Sequence, residues 1–228
     1  MDLEPLKRLA AEASLQYVRD GDVVGLGTGS TVKYVVLGLS ERVKAGLRIR
    51  GVPTSRETAD LAKRSGIPLI ESEDRWEIDV AIDGADQVDP QLNLIKGGGG
   101  ALLKEKIVAA AAGRLIIVVD STKRVPILGD SVPLPIEVVP FGWGSTARQI
   151  EALGGKVALR ERAGQIFKTE AGHYILDLYL SRIEDPAALE VLLNGIPGVV
   201  ETGLFVGRTD TLVVGAPNGL QVQHAATR

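Results

Sequence analysis

The sequence predicts an α/β protein: a parallel sheet with helices on both faces, followed by a smaller α+β unit. Two observations carry this. In the first half, short apolar runs such as 22–27 and the wholly apolar 115–119 alternate with stretches of helical periodicity. Strands that are apolar all round belong in a parallel sheet buried on both faces. After Ile127 the pattern changes. Prolines cluster at Pro126, Pro133, Pro135 and Pro140, and short strands between turn signals take over.

Taken in order, residues 3–18 form an amphipathic helix with Pro5 in the first turn, where proline is tolerated. Residues 22–27 are a buried strand, 31–39 a helix and 47–53 a strand. Ser55 can cap a helix running to about Arg64, because Thr58 and Leu61 continue a helical spacing. Strands follow at 68–70, 78–82 and 92–95, then a helix at 101–112 ended by Gly113, and the strand 115–119. The second unit reads as strand 132–139, helix 146–153, strands 156–159, 165–168 and 174–179, and helix 187–193 with Asp185 as its cap. Segments 204–206 and 211–216 are strands that return to the first domain. The expected fold is therefore a Rossmann-like parallel-sheet domain, residues 1–128 plus 204–228, with a smaller ferredoxin-like α+β domain at 129–203.

Composition narrows the function. The 228 residues include 26 basic and 29 acidic side chains, a net charge of −3. Such a chain offers no general attraction to nucleic acid or an anionic membrane, so an anionic ligand must be held by a local site. Cysteine is absent, which excludes disulfides, a thiolate nucleophile and cysteine-ligated metal. The N-terminal pattern is helical rather than that of a signal peptide. No apolar run reaches the roughly 20 residues needed to span a bilayer, so the cytoplasm is the expected location.

Three segments carry chemistry. Gly25-Leu26-Gly27-Thr28-Gly29-Ser30-Thr31 joins a buried strand to a helix start. Glycines there turn backbone amides toward an anion, the helix N-terminus adds partial positive charge, and the hydroxyls add donors. A phosphate suits it, as does a plain strand-to-helix turn. The spacing is not G-x-G-x-x-G, no P-loop lysine follows, and the next strand ends without an acidic residue, which argues against a dinucleotide. Asp83-Gly84-Ala85-Asp86 follows a buried strand, at the end where open α/β sheets bind ligands. Two carboxylates on one turn can hold sugar hydroxyls or relay their protons, or Asp83 can simply serve local amides in an Asx-turn. Lys96-Gly97-Gly98-Gly99-Gly100 abuts a helix start. Its amides and lysine suit an enediolate oxyanion, the alternative being a flexible loop.

On the helix that follows, Glu105 has Ala101, Leu102, Val108 and Ala109 as its face neighbours, with no basic residue among them. A carboxylate on an apolar face suits a general base, though a glutamate early in a helix also complements the dipole. Lys123 follows the strand 115–119, in the same strand-end position or as a surface lysine. His173 and His224 are isolated, and no metal-ligand spacing exists.

Together GLGTGST (25–31), DGADQVD (83–89), KGGGGALLKEK (96–106) and VVDSTK (118–123) resemble the ribose-5-phosphate isomerase type A family. ARQIEALGG (147–155), ILDL (175–178) and IPGVVETGLF (196–205) extend the resemblance over nearly the whole chain. The resemblance implies interconversion of D-ribose 5-phosphate and D-ribulose 5-phosphate in the pentose phosphate pathway, with no cofactor, no metal and a homo-oligomer, dimer or tetramer. It puts the general base on Glu105, catalytic roles on Lys96, Asp83 and Asp86, and substrate contacts on Thr28, Gly29, Ser30, Thr31, Gly84, Ala85, Gly97, Gly98, Gly99 and Lys123. A sugar-phosphate sensor, an acyl-CoA transferase and a sugar-phosphate deaminase are the rival readings.

Overall fold

A computed structural model of the protein describes residues 2–70 and 75–226; residues 1, 71–74 and 227–228, all within the first predicted domain, lie outside it. In chain order the elements are α1 (Glu4–Ser14), β1 (Val23–Leu26), α2 (Ser30–Lys44), β2 (Arg50–Pro53), α3 (Arg56–Arg64), β3 (Val80–Asp83), β4 (Gln87–Val88), β5 (Leu94–Ile95), α4 (Leu102–Ala111) and β6 (Leu115–Asp120). There follow β7 (Leu134–Val138), α5 (Trp143–Glu151), β8 (Lys156–Leu159), β9 (Glu161–Arg162), β10 (Gln165–Ile166), β11 (Tyr174–Tyr179), α6 (Pro186–Asn194), β12 (Val199–Thr202), β13 (Leu204–Phe205), β14 (Thr211–Ala216) and β15 (Gly219–His224). Among the described residues no helix is long and apolar enough to cross a membrane.

The chain divides into two units: Met1–Ala85, Lys104–Lys123 and Arg208–Arg228 in the first, Asp86–Leu103 and Arg124–Gly207 in the second. This division differs from borders after residues 128 and 203. The reason is strand pairing: β5 pairs antiparallel with both β4 and β13, and Val125 N–H donates to Val88 O. Those ladders tie residues 86–103 to the later chain.

The first unit is built on a six-stranded sheet of order β15-β14-β6-β3-β1-β2. All neighbours are parallel except the antiparallel edge hairpin of β14 and β15. β1, β3 and β6 are buried along their full length, as their apolar sequences require. The chain leaves β1 for β2 on one side and returns to β3 on the other. The carboxyl ends of β1 and β3 therefore lie at a switch in strand order, where open α/β sheets bind ligands. Ser55 caps α3 as expected, accepting from Thr58 N–H. α2 runs past the predicted end at Leu39, because Val43 continues the apolar stripe and Ser40 Oγ donates to Ser65 O at 2.6 Å. Segment 68–70 contributes only a bridge from Leu69 to Gly51. α1 packs on α2, β6 and β14, and its approach to β14 requires a glycine: a methyl at Gly215 would sit 1.9 Å from Leu6 O. Gly215→Ala is expected to cost about 1–3 kcal/mol, the usual range for overpacking; urea unfolding measures it.

The second unit holds the four-stranded antiparallel sheet β12-β7-β11-β8. Chain order β7-α5-β8-β11-α6-β12 over that strand order is the ferredoxin-like arrangement. α5 packs on β8 and β11, and α6 on β12. Asp185 caps α6, its carboxylate accepting from Ala188 N–H at 3.0 Å.

Candidate active site

In the first unit, Gly27 and Thr28 continue β1 beside the end of β3. Asp83, 5% exposed, accepts from Thr28 N–H at 3.1 Å and from Gly84 N–H at 2.7 Å. A bond to the next residue's amide, one residue short of an Asx-turn, and a tie to the neighbouring loop thus coexist on one carboxylate oxygen. Gly27 is the residue that permits it, since a methyl there would lie 2.1 Å from Asp83 Oδ1. The Thr28 hydroxyl turns inward, 2.7 Å from Thr54 Oγ1 and 2.8 Å from Ser55 Oγ, and Thr58 Oγ1 donates to Gly27 O at 2.8 Å. The sequence marks none of Thr54, Ser55 and Thr58 as a site residue: Ser55 reads as a cap, Thr58 as part of a helical spacing, and Thr54 carries no local signal. Gly29, at φ 120° and ψ 177°, N-caps α2 without any side-chain acceptor. Ser30 is exposed and Thr31 buried. A 15-residue helix that begins on bare amides favours an anion at that end.

Glu105 lies in the first turn of α4 and is 5% exposed. Three residues on, Val108 rests against β1: a methyl at Gly25 would come within 2.6 Å of Val108 Cγ1. Residues three apart share a helix face, so Glu105 is on the side of α4 turned to the sheet. Lys104 beside it is exposed. Lys123 is half-buried and ends a short 3₁₀ turn after β6, where Asp120 accepts from Thr122 N–H at 3.0 Å. Gly84 and Ala85 are half-buried.

In the second unit, Asp86 accepts from Gly98 N–H at 2.8 Å and donates its own N–H to Ile95 O. Gly97 and Gly100 have φ of 102° and 89°, and a methyl at Gly100 would meet Phe167 at 2.4 Å. Two of the four glycines are therefore demanded by the fold of the loop itself. Gly98 and Gly99 are exposed. Lys96 is 3% exposed; its N–H donates to Gly203 O, and its ammonium lies 5.5 Å above the Phe205 ring centre. This is not a solvated surface lysine.

A family model described as ribose 5-phosphate isomerase A (phosphoriboisomerase A) matches residues 50–219. The chain belongs to that family. It is 53% identical to ribose-5-phosphate isomerase A of Gloeobacter violaceus over 223 residues, 97% of each chain. Among solved structures it is similar to a D-ribose-5-phosphate isomerase in complex with phospho-erythronic acid, with TM-score 0.94 and 40% identity over 98% of this chain and all of that one. The isomerase of Methanocaldococcus jannaschii gives TM-score 0.93 and 36% identity at the same coverage.

The fold groups Thr28, Asp83 and Gly84 by hydrogen bonds in the first unit, and Asp86 with Gly98 in the second. Asp89, the last residue of the DGADQVD segment, accepts from Asn93 N–H at 2.8 Å and so closes a local turn. The histidines have structural partners: His173 pairs with Glu137 at 3.0 Å and His224 with Thr211 at 3.1 Å.

Proposed function

We propose that this isomerase interconverts D-ribose 5-phosphate and D-ribulose 5-phosphate through an enediolate, with Glu105 as the general base. The observation that carries the assignment is a glutamate 5% exposed in the first turn of α4, on the side facing the sheet. Its carboxylate takes the C2 proton of the open-chain aldose, and the electron pair moves through C1 onto O1. Return of the proton to C1, with O1 protonated and the C2 hydroxyl deprotonated, leaves the C2 ketone. Asp83 and Asp86 handle hydroxyl protons in ring opening. The Lys96 ammonium and glycine-loop amides stabilise the negative oxygens, the larger share of the barrier reduction in such reactions. Gly29, Ser30 and Thr31 present the α2 N-terminus to the phosphate; Thr28, whose hydroxyl and amide are already engaged, shapes that loop. Gly84, Ala85, Gly97, Gly99 and Lys123 complete the substrate contacts. The enzyme is further proposed to act in the cytoplasm, without metal or cofactor, as a homodimer or homotetramer.

The deciding experiment follows ribulose 5-phosphate formation from ribose 5-phosphate in EDTA, then repeats it in D₂O. Expected are an unchanged rate in EDTA and solvent deuterium at C1 of the ketose. Loss of activity in EDTA ends the metal-free reading; no product at all ends the isomerase reading for this chain. The phosphate assignment has its own test. Gly29 occupies a backbone region that is essentially glycine's alone, and a side chain there costs about 1–3 kcal/mol. Gly29→Ala is expected to raise KM for ribose 5-phosphate about tenfold, a free energy within that range, with a smaller effect on kcat.

A further inference from the structure

Arg160 has no role in the reading above, yet it makes four side-chain hydrogen bonds inside the second unit. It follows β8, with its backbone pinned at both ends: N–H to Ile175 O, and O accepting from Phe167 N–H. Its Nε donates to Asp177 Oδ2 at 2.8 Å and its Nη2 to Asp177 Oδ1. Its Nη1 donates to Gly97 O at 2.7 Å and to Gly98 O at 3.2 Å. Both side chains are only 11% exposed. A buried ion pair of this kind is a poor source of stability but a good source of fixed geometry.

The consequence lies in the peptide planes. In a trans peptide the C=O and the following N–H point in opposite directions, and the described chain has no cis bond. Holding Gly97 O on Arg160 therefore sends Gly98 N–H the other way, and it is found on Asp86 Oδ2 at 2.8 Å. Holding Gly98 O likewise fixes the direction of Gly99 N–H. Within the run Gly100 N–H donates to Gly97 O at 3.0 Å, but glycine crosses to alternative backbone wells at almost no steric cost, and that one bond does not hold the Gly98–Gly99 plane. A guanidinium can: its planar fork serves a carboxylate and two carbonyls at once, which a lysine ammonium does not match.

We propose that Arg160, oriented by Asp177, is a positioning residue that locks the Gly97–Gly98 and Gly98–Gly99 peptide planes and so aims the Gly98 amide at Asp86. The inference rests on the reading that Asp86 and the glycine loop act in the isomerisation. Its effect belongs on turnover, because through the Gly98 amide it holds the Asp86 carboxylate proposed to handle hydroxyl protons, and through the Gly98–Gly99 plane it directs the Gly99 amide proposed to meet the enediolate.

The test compares wild type, Arg160→Lys and the double variant Arg160→Met/Asp177→Leu. The double variant removes both charges together, so neither is left buried alone. Wild-type conversion of ribose 5-phosphate is the control on the underlying reading; without it that reading fails, not this inference alone. Given wild-type activity, both variants are expected to lose kcat by about 10–100-fold, the scale of an ångström misplacement, with KM changed less than about threefold. The double variant is expected to unfold no earlier than Arg160→Lys, separating the kinetic loss from stability. A kcat within twofold of wild type in either folded variant overturns the proposal, as does a rise in KM at constant kcat. Should the double variant not fold, Arg160→Lys decides alone by the same criteria.

Discussion

Glu105→Gln is expected to fold and bind ribose 5-phosphate as the parent does while losing about 10²–10⁴-fold in kcat, the usual share of a positioned general base. The substitution keeps volume and burial, so the packing of α4, with Val108 against Gly25, has no cause to change. What it removes is the ability to accept the C2 proton. A thousandfold loss corresponds to about 4 kcal/mol of transition-state stabilisation, far above any packing difference between carboxylate and amide. Glu105→Asp refines the result. It retains the base but withdraws it by one methylene, and an intermediate kcat is expected because general-base catalysis needs hydrogen-bond reach to the proton. Steady-state kinetics with thermal unfolding of each variant measures all of this. A near-parental kcat in a folded Glu105→Gln enzyme removes the residue from the role.

The local features of this protein were readable in its sequence, and the features that depend on register were not. Ser55 and Asp185 were identifiable as caps because the acceptor and the amide it serves are three residues apart. The burial of Glu105 followed from its apolar face neighbours on one helix. In contrast, the hydroxyl cluster behind Thr28 exists because β1 and β2 pair with Leu26 opposite Pro53, so that Thr54 meets the loop leaving β1. No local pattern encodes that register. Arg160 and Asp177 meet because Asp177 of β11 lies opposite Ala158 of β8, a tertiary fact again. β15 is a different case. Asn218-Gly219 after an apolar strand is a hairpin signal, and the following residues alternate between half-buried and exposed as an edge strand does. The segment itself is weakly apolar, so its periodicity alone does not mark a strand.

The second large effect is expected from a single methyl group. Gly27→Ala places a Cβ 2.1 Å from Asp83 Oδ1, 2.2 Å from its Cγ and 2.7 Å from its Cβ. The carboxylate cannot yield without loss, since Oδ1 holds the amides of both Thr28 and Gly84 and Asp83 is itself pinned at the end of β3. Either the β1 loop moves outward or Asp83 abandons its two donors. Both outcomes displace a proposed proton-handling group by an ångström or more, a scale that costs about 100-fold in rate. Overpacking adds about 1–3 kcal/mol of instability. A matched substitution separates local crowding from the general effect of losing a glycine. At Gly84 the nearest atoms to an added methyl are two carbonyl oxygens at 3.9 and 4.0 Å, so Gly84→Ala is expected to leave Tm within about 1 °C, there being no overpacking to relieve. Gly27→Ala is expected to lower both Tm and kcat/KM. If Gly27→Ala turns over like the parent, the tie between the β1 loop and Asp83 is dispensable and Asp83 does not work from the position it holds here.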